Sequence, residues 1–295
     1  MTILITGGAG FIGKHLVNKL SKNNKVYVID KKKFNFKNKN VKFILGDITK
    51  INSFKIPSKI ETIYHLAAQT SAQISEENPD KDVKTNIMGT YNICKFAIKK
   101  KIKQIIFTSS MAVYGEVENK ISENKECNPK SMYGMSKLFC EKLIKNLSYN
   151  KINFKIFRLF NVYGPGQDLK NFKQGMVSIY LAQLIKFKNI IVKGSLDRYR
   201  DFIYIDDVVN ILTKSNIIQN EIYNLGSGKK TTVRELLKLI KKITNTNFKI
   251  IVKKNTQGDI FGSCADVSKL NKIMNLDLKY NIKSGLFRTI KSITK

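Results

Sequence analysis

Short apolar runs alternate with longer segments of helical periodicity along the first 160 residues. The β-branched run 2–6 leads through glycines into residues 11–20, where apolar side chains recur at helical spacing. Runs of the same kind predict buried strands, and longer periodic segments predict helices. The predicted strands are 25–30, 41–48, 62–68, 103–110 and 154–160, and the predicted helices are 78–100 and 131–147. This alternation predicts a Rossmann-type, doubly wound parallel sheet with helices on both faces.

The pattern becomes less regular after Pro165. Helices are predicted at 176–185 and 233–243, and a strand runs into a helix over 200–215. We therefore predict an α/β fold with a smaller C-terminal α/β lobe. In this division the Rossmann domain comprises 1–165 and about 201–225, and the lobe comprises 166–200 and 226–295.

Composition narrows the class of protein. The hydrophobic share of 42% and the charged share of 25% are those of a folded globular chain. Four cysteines without CxxC spacing predict reduced thiols in a cytoplasm rather than a disulfide framework. Two histidines exclude a zinc site built from several histidines, and no metal is expected. No apolar run approaches the ~18–20 residues that span a bilayer, so no membrane insertion is expected.

The charge is the unusual quantity. There are 53 Lys+Arg against 22 Asp+Glu, a net charge of +31. Such an excess is compatible with nucleic-acid or membrane binding, or with a lysine bias over solvated faces. Lysines are absent from 1–10, 61–80 and 201–210, where recognisable motifs begin or lie. This distribution favours the surface bias and no specific nucleic-acid partner, and the field helps to attract an anionic substrate.

A glycine-rich turn joins the first strand to the first helix. Gly7, Gly10 and Gly13 permit a tight turn and close approach of the backbone to a ligand. A pyrophosphate at that helix N-terminus meets unpaired N–H groups and the positive end of the helix dipole. Asp30 closes the second strand and stands where a carboxylate accepts hydrogen bonds from an adenosine ribose. A carboxylate repels a 2′-phosphate, so NAD is favoured over NADP, although the lysines at 31–33 weaken that preference and Asp30 also suits a plain strand-end turn.

Tyr133 and Lys137 stand four residues apart in a predicted helix and so share one face. A nearby ammonium is expected to lower the pKa of a phenol, which makes tyrosinate accessible as a base. The same spacing recurs at Tyr27 and Lys31 and at Tyr91 and Lys95, so spacing alone proves little. Only Tyr133 closely follows the Ser-rich end of a strand, which places it at the C-terminal edge of the predicted sheet.

Several segments together resemble the extended short-chain dehydrogenase/reductase family, in its nucleotide-sugar epimerase/dehydratase branch. They occur in the family order and span nearly the whole chain. The matching segments are TGGAGFIG (6–13), GDI (46–48), HLAAQ (65–69), SSMAVYG (109–115), YGMSK (133–137), RLFNVYGPGQD (158–168), RDFIYIDDV (200–208), NLGSG (224–228) and GDIFGSCADVSK (258–269).

The resemblance implies roles for individual residues. For the cofactor, it implies that NAD is held by Gly7, Gly10, Phe11, Ile12, Gly13, Asp30, Asp47, Ile48, Ala67 and Lys137. It implies that Tyr133 is the base, that Ser110 hydrogen-bonds the substrate 4-oxygen, and that Lys137 assists both. For the remaining substrate contacts, it implies Asn161 and Arg200 at the diphosphate region, with Asp259 and Ser263. Without the resemblance, Asn161 is interpreted as a turn residue and Arg200 as a surface ion-pair partner.

The sequence also departs from the family pattern. Dehydratases and decarboxylases of this branch usually carry an acidic residue just after the catalytic Ser/Thr, where this chain has Met111 and Ala112. Their absence favours epimerisation at C4 over water elimination. Thr256 stands where many epimerases have arginine, so that one diphosphate contact is missing or is supplied by Lys253 or Lys254.

The resulting hypothesis is an NAD-dependent, dimeric 4-epimerase of UDP-glucose/galactose-type sugars. Ser263 falls where the resemblance places a bulky aromatic in epimerases restricted to plain hexoses, so N-acetylated sugars are candidate substrates. Within the branch, a 4,6-dehydratase or a 4-keto reductase is the alternative. A non-catalytic NAD-sensing or nucleic-acid-binding Rossmann protein is the alternative of another class, which an intact Ser110, Tyr133 and Lys137 set disfavours.

Overall fold

The computed structural model describes residues 1–54, 56–57, 59–117, 119–255 and 260–294, except the side chains of Asn52, Ser53 and Asn216. Seven parallel strands form the main sheet, in the order β11–β6–β5–β4–β1–β2–β3. These strands are β1 (Thr2–Thr6), β2 (Lys25–Asp30), β3 (Val41–Leu45), β4 (Thr62–His65), β5 (Gln104–Ser110), β6 (Asn153–Leu159) and β11 (Ile222–Leu225). The predicted α/β class and parallel sheet are confirmed.

Helices cover both faces of the sheet. The alternation of side chains along β1 shows why, since Ile3 and Ile5 join a core with Leu16 and Leu4 joins the opposite core with Ile93. The helices along the chain are α1 (Phe11–Leu20), α2 (Ala72–Glu77), α3 (Pro79–Asp82), α4 (Gly89–Lys99), α5 (Met132–Lys145), α6 (Met176–Phe187), α7 (Ile205–Thr213), α8 (Val233–Thr244), α9 (Ser268–Met274) and α10 (Ile282–Ile293).

The predicted helix 78–100 is present over residues 79–99, but one of its turns is π-helical. A π-helical segment, Val83–Met88, separates α3 from α4. The wide turn brings Asn86 into the interior, where its carbonyl oxygen lies 3.2 Å from the Cys140 Sγ of α5. Hydrophobic periodicity does not distinguish a π turn from an α turn over so short a segment, so the prediction gives the helix but not its π turn.

Three two-stranded sheets accompany the main sheet in the C-terminal half. They pair β7 (Asn161–Tyr163) with β10 (Phe202–Tyr204), β9 (Tyr199–Arg200) with β12 (Thr231–Thr232), and β8 (Asn189–Lys193) with β13 (Lys249–Lys253). β11 returns to the edge of the main sheet beside β6. The division into two domains stays a prediction, because these elements pack into one extensive core.

The strand order reverses between β1 and β4. The chain proceeds outward to β2 and β3 on one side and to β5, β6 and β11 on the other. Crevices outside the carboxyl ends of strands at such a point bind ligands in open α/β sheets. Here the glycine turn after β1 and the loop after β4 border the crevice.

No helix of the described residues has the length and apolar character to cross a bilayer. All four cysteines, which lie within the described residues, are free thiols.

His65 links the middle of the sheet to the helical layer. Its imidazole is completely buried and lies 2.7 Å from the Thr6 hydroxyl of β1 and 3.0 Å from the Thr90 hydroxyl of α4. Burial, with the charge of Lys137 as a smaller cause, lowers the pKa of His65 from 6.5 to about 3. The ring is therefore a neutral hydrogen-bonding link and not an acid or base at neutral pH.

This link predicts a specific pH dependence of stability. The unfolded chain takes up a proton at His65 below pH 6.5, whereas the native state resists protonation until about pH 3. The contribution of His65 to the free energy of unfolding is thus complete above pH 6.5 and falls by about 1.4 kcal/mol per unit below it. Urea unfolding at pH 7 and 5 should show a loss about 2 kcal/mol larger in the parent than in His65→Gln. His15→Gln, the matched control, should keep the parental slope; equal slopes in all three proteins would contradict the assignment.

Candidate active site

The glycine turn forms a cradle that side chains would fill. A Cβ on Gly7, whose φ is +73°, would lie 2.6 Å from the Ala67 nitrogen, and one on Gly13 would lie 2.2 Å from the Gly7 oxygen. These two glycines allow strand, turn and helix to pack together. Gly10 differs, because a Cβ there would meet only the Gly7 oxygen within 4 Å, at 3.2 Å. Its open side is the surface that a ligand can approach.

The helix end at this turn is suited to an anion. Gly10 is the N-cap of α1 and offers no side-chain cap to the first N–H groups, which belong to Phe11, Ile12 and Gly13. Uncapped N–H groups and the helix dipole together favour a phosphate at this position. The cradle and the uncapped helix end therefore fit the pyrophosphate of a dinucleotide.

Two carboxylates mark the neighbouring strand ends. Asp30 accepts the N–H of Ala9 at 2.9 Å, which ties β2 to the glycine turn. Asp47 caps the short helix Ile48–Ser53 and pairs with Lys31 at 2.9 Å. Partial burial opposes ionisation of Asp47, but hydrogen bonds from Thr49 and the pairing with Lys31 lower its pKa overall.

Of the lysines that follow Asp30, Lys31 is thus directed to Asp47. The Ile48 side chain is buried and packs where a Cβ on Gly89 would lie, while Ala67 borders Gly7. The residues that were predicted to bind the cofactor therefore lie together along one edge of the sheet.

Ser110, Tyr133 and Lys137 lie together at the end of β5. The Ser110 side chain lies close enough to the Tyr133 phenol to oppose the rise in its pKa. The Lys137 ammonium donates to the Thr108 carbonyl at 2.8 Å and lies 4.5 Å from the Phe107 ring centre. Helix α5 places both functional side chains on one face, and Ser131 caps it by accepting the N–H of Gly134. The proximity expected from the sequence is present.

The protonation of this group differs from the sequence-based expectation. Burial raises the pKa of Tyr133 to about 12, and the nearby Ser110 side chain only partly opposes it. Burial lowers the pKa of Lys137 to about 8. The expected lowering of the phenol pKa by the ammonium is wrong for the ligand-free site, because desolvation outweighs it and the ammonium is directed to a backbone carbonyl.

A buried polar network that the sequence did not predict lies beside Tyr133 and holds its helix in place. The buried Asp82 carboxylate accepts from the Gln69 amide at 2.9 Å and from the Asn86 amide at 3.1 Å. Asn86 also donates to the Ser136 hydroxyl, and Gln69 donates to Asn86 through its backbone. The loop after β4, the π segment and α5 are thereby held together. In the sequence only the HLAAQ segment (65–69) indicated this network, and it did not identify the residues that Gln69 contacts.

A buried ion pair fixes the other side of α5. Arg158 of β6 pairs with Glu141 at 2.7 Å, and Ser109 donates to the same carboxylate at 2.5 Å. The arginine also lies over the Tyr114 ring. Because removing one partner of such a pair leaves a buried charge, the pair holds α5 against β5 and β6.

Beside Tyr133 opens a cleft of about 350 Å³, called here the basic cleft. Its wall contains five cations and, among the described residues, no carboxylate. Its basic members are Lys130, Lys173, Lys193, Arg198 and Arg200, and its other members include Ser131, Met111, Ala112, Asn161, Tyr180 and Ile260. A cleft of this charge suits an anionic ligand.

Some of the predicted substrate residues line the basic cleft, and others do not. Asn161 and Arg200 line the basic cleft, and Met111 and Ala112 form the wall near Ser110. Ser263 is completely buried, its hydroxyl has no partner in the described chain, and it does not belong to that wall. Asp259, like Thr256, lies outside the described residues.

Arg200 does not lie at the surface, where the sequence without the resemblance placed it. It is buried and donates to the carbonyl oxygens of Tyr199 at 2.8 Å, Phe261 at 3.1 Å and Ile260 at 2.9 Å. Arg198, which the sequence reasoning did not single out, is buried beside it and lines the same cleft. Its signal in the sequence was only its position two residues before Arg200.

A carboxylate behind the cleft joins the lobe to the sheet. Asp201 is completely buried and accepts two hydrogen bonds from Ser227, one from Gly228 and one from Ala265, at 2.6–3.0 Å. Its carbonyl oxygen accepts the backbone N–H of Asn161 at 3.0 Å and the side-chain amide at 3.2 Å. The positions of Asn161 and Arg200 thus depend on one residue.

The sequence of residues 3–226 matches the model of the NAD dependent epimerase/dehydratase family. The chain belongs to this family. NAD is the cofactor of the family, as the glycine turn and Asp30 predicted. The resemblance proposed from the motifs is therefore confirmed.

Relatives span the full length of the chain. A protein of Methanocaldococcus jannaschii, provisionally named a UDP-glucose 4-epimerase, is 38% identical over 95% of this chain and 96% of its own. UDP-glucuronic acid decarboxylase 1 of Arabidopsis thaliana is 32% identical over 98% of this chain and 69% of its own. The solved structure of UDP-glucose 4-epimerase from Thermotoga maritima with UDP-glucose has a TM-score of 0.92 and 33% identity, and covers 100% of this chain and 99% of its own. The chain is thus an enzyme of the NAD dependent epimerase/dehydratase family.

Proposed function

We propose that this enzyme epimerises a nucleotide-activated hexose at C4 through a transient 4-keto sugar. The observation that carries the proposal is the clustering of Ser110, Tyr133 and Lys137 next to Met111 and Ala112, which form an apolar part of the cleft wall. NAD, when bound, accepts a hydride from the sugar and returns it. The net reaction is redox neutral, so the cofactor stays with the enzyme between turnovers.

The residues of the glycine turn would hold the cofactor pyrophosphate. In this proposal Gly7, Gly10 and Gly13, with the N–H groups of Phe11 and Ile12, receive the phosphates. Asp30 binds the adenosine ribose, and Asp47, Ile48 and Ala67 border the adenine side. Lys137, held by the Thr108 carbonyl, contacts the nicotinamide ribose.

Tyr133 would exchange the proton of the sugar 4-hydroxyl. Ser110 lies beside the phenol and is positioned to hydrogen-bond the same oxygen. In the ligand-free site Tyr133 keeps its proton at neutral pH, because its pKa is about 12. Lys137, with a pKa of about 8, is the group beside it whose charge changes nearest to neutrality. Productive proton transfer therefore requires additional positive charge in the assembled site.

The residues of the cleft wall near Ser110 favour epimerisation over elimination of water. Elimination of water across C5 and C6 needs an acid/base group on the sugar side of Ser110, and Met111 and Ala112 supply none. Oxidation and reduction at C4 need only Tyr133. A 4-keto reductase would use the same residues but would consume reduced cofactor, and that consumption is directly measurable.

We also propose UDP as the nucleotide, with support from the 38% identical relative and the UDP-glucose complex of the 33% identical structure. Asn161 and Arg200 would contact the diphosphate from the cleft wall, with Asp259 as a further substrate contact. Ser263 would leave room for an acetamido group, so N-acetylated sugars are included as substrates. Its complete burial makes this role indirect, through the space left behind the cleft rather than a hydroxyl contact.

A homodimer is proposed from an apolar surface on two neighbouring helices. Exposed large side chains of α4 and α5 are Tyr91, Ile98, Met135 and Phe139, each 42–52% exposed. The two helices pack against each other, so these side chains form one patch. Apolar patches of this kind mark protein–protein contacts.

Sedimentation equilibrium tests the dimer. The parent should have twice the chain mass of 33.7 kDa, and Ile98→Glu should shift the equilibrium toward the monomer because it places a charge in the patch. Phe287→Glu, at an equally exposed position of α10, is the control and should stay dimeric. A monomeric parent would contradict the proposal.

Products formed from a panel of nucleotide sugars test the reaction. UDP-glucose, UDP-N-acetylglucosamine and UDP-glucuronic acid, with GDP-, CDP- and dTDP-hexoses, are incubated with the enzyme and followed by NMR. We expect C4 epimers of the UDP-sugars, without water loss, carbon dioxide release or consumption of added reduced cofactor. An accumulating keto sugar would identify the enzyme as a dehydratase instead. A pentose product would identify it as a decarboxylase.

Tyr133→Phe tests the proton-transfer residue. The substitution keeps the ring and removes the hydroxyl, so turnover should fall about 10²–10⁴-fold while NAD remains bound. Tyr27→Phe is the matched control, since Tyr27 has the same spacing to Lys31 but lies on β2, and its turnover should be nearly unchanged. Near-parental kcat in Tyr133→Phe would remove Tyr133 from the mechanism.

A further inference from the structure

A second cavity, of about 480 Å³, lies between helix α8 and the chain that leads into α10. Its wall is formed by β10, the loop after β11, the first two turns of α8 and the segment before α10. Among the described residues, none belongs both to this wall and to that of the basic cleft. Small-molecule sites typically have volumes of about 300–1,000 Å³. The second cavity therefore has room for a ligand of its own.

Part of the wall of the second cavity is apolar and aromatic. Phe202 is buried, and its ring meets the Tyr163 ring edge-on with the centres 6.1 Å apart. The Tyr280 ring lies 4.4 Å from that of Tyr204. The other apolar members of the wall are Leu239, Leu278 and Ile282. Because the two rings are packed against core residues, they offer a fixed surface to the apolar body of a ligand.

The same wall is positively charged. Its cations are Lys229, Lys230 and Lys238. Glu235 is the only carboxylate of the wall among the described residues, and it accepts the N–H of Thr232 at 2.7 Å and its hydroxyl at 2.9 Å. Lys230 lies 4.6 Å from the centre of the Tyr199 ring. Over the described part of the chain none of the three lysines forms an ion pair, so the ammonium groups can receive an anion.

Hydrogen bonds hold the wall of the second cavity in place without a ligand. Ser227 donates its N–H and its hydroxyl to the buried Asp201 carboxylate, at 2.7 and 2.6 Å. The backbone N–H of Tyr280 donates to the Asp207 carboxylate at 3.2 Å. A wall that is already ordered loses little conformational entropy when a ligand binds. The second cavity is thus formed before its ligand arrives.

We propose that the second cavity binds a small organic phosphate with an apolar or aromatic body, at a site separate from the basic cleft. The lysines attract the phosphate as point charges, and the aromatic part of the wall contacts the body. A bare phosphate would leave the rings of Phe202 and Tyr280 in contact with water. An uncharged aromatic molecule would gain nothing from the lysines. The two halves of the wall together select a ligand that carries both groups.

Binding of 1-naphthyl phosphate tests the chemistry of the second cavity. The chain contains no tryptophan, so the naphthyl fluorescence is little obscured by the protein. We expect saturable binding to a single site, whereas 1-naphthol should bind about 10-fold or more weakly because it carries no charge. The carboxylate 1-naphthoate should fall between them, since a phosphate ester carries about −1.5 to −2 at pH 7. Naphthol or naphthoate binding as tightly as the phosphate would contradict the proposed ligand class.

Matched charge reversals locate the site. Lys238→Glu should weaken binding of 1-naphthyl phosphate about 10-fold or more, because a repulsive charge replaces an attractive one in the wall. Lys241→Glu makes the same change on the same helix outside the second cavity, and Lys193→Glu makes it in the basic cleft. Both controls should bind the probe within about 2-fold of the parent.

Three outcomes would overturn the inference. Loss of binding in Lys193→Glu but not in Lys238→Glu would place the probe in the basic cleft. Equal weakening by Lys238→Glu and Lys241→Glu would mean that the probe responds only to the overall charge of the protein. Absence of saturable binding to the parent would show that the second cavity does not take this class of ligand.

Discussion

The geometry of the candidate site depends on one buried carboxylate. Asp201 follows Arg200 in the chain and receives donors from the turn after β11 and from Ala265. Through its carbonyl it also holds Asn161 at the start of β7. Burial raises the pKa of Asp201, and its four hydrogen bonds oppose that effect. Through these hydrogen bonds the carboxylate connects the C-terminal segments to the edge of the main sheet. The basic cleft lies where these segments meet.

Much of the fold was predictable because local chemistry and tertiary structure agree. β1, the glycine turn and α1 occur where the periodicity placed them, and Gly7 and Gly13 are required by backbone packing. β2 has the predicted bounds, 25–30. The clustering of Ser110, Tyr133 and Lys137 followed from strand-end and helix spacing. In each case one short segment contains the determining residues.

The rest was not predictable, because it depends on contacts between distant segments. The π segment at 83–88 is fixed by Asn86 meeting α5, and no local pattern encodes it. The pKa of Tyr133 follows from the depth of its burial, which spacing to Lys137 does not reveal. Ser263 was expected to border the sugar and is instead enclosed behind the cleft. The position of Arg198 in the wall of the basic cleft is seen only in the folded chain.

Burial disfavours the charged forms in both halves of the site, but the outcome at neutral pH differs between them. At Tyr133 and Lys137 burial favours the neutral forms: the phenol keeps its proton at neutral pH, and the ammonium, with a pKa of about 8, loses its proton only above neutrality. At Arg198 and Arg200 the groups remain cationic, since even the lowered pKa of Arg200, about 10, lies well above neutrality. The described wall of the cleft is therefore rich in positive charge, which suits an anionic substrate. Charge complementarity thus favours an anionic substrate at one end, while the phenol at the other end keeps its proton at neutral pH.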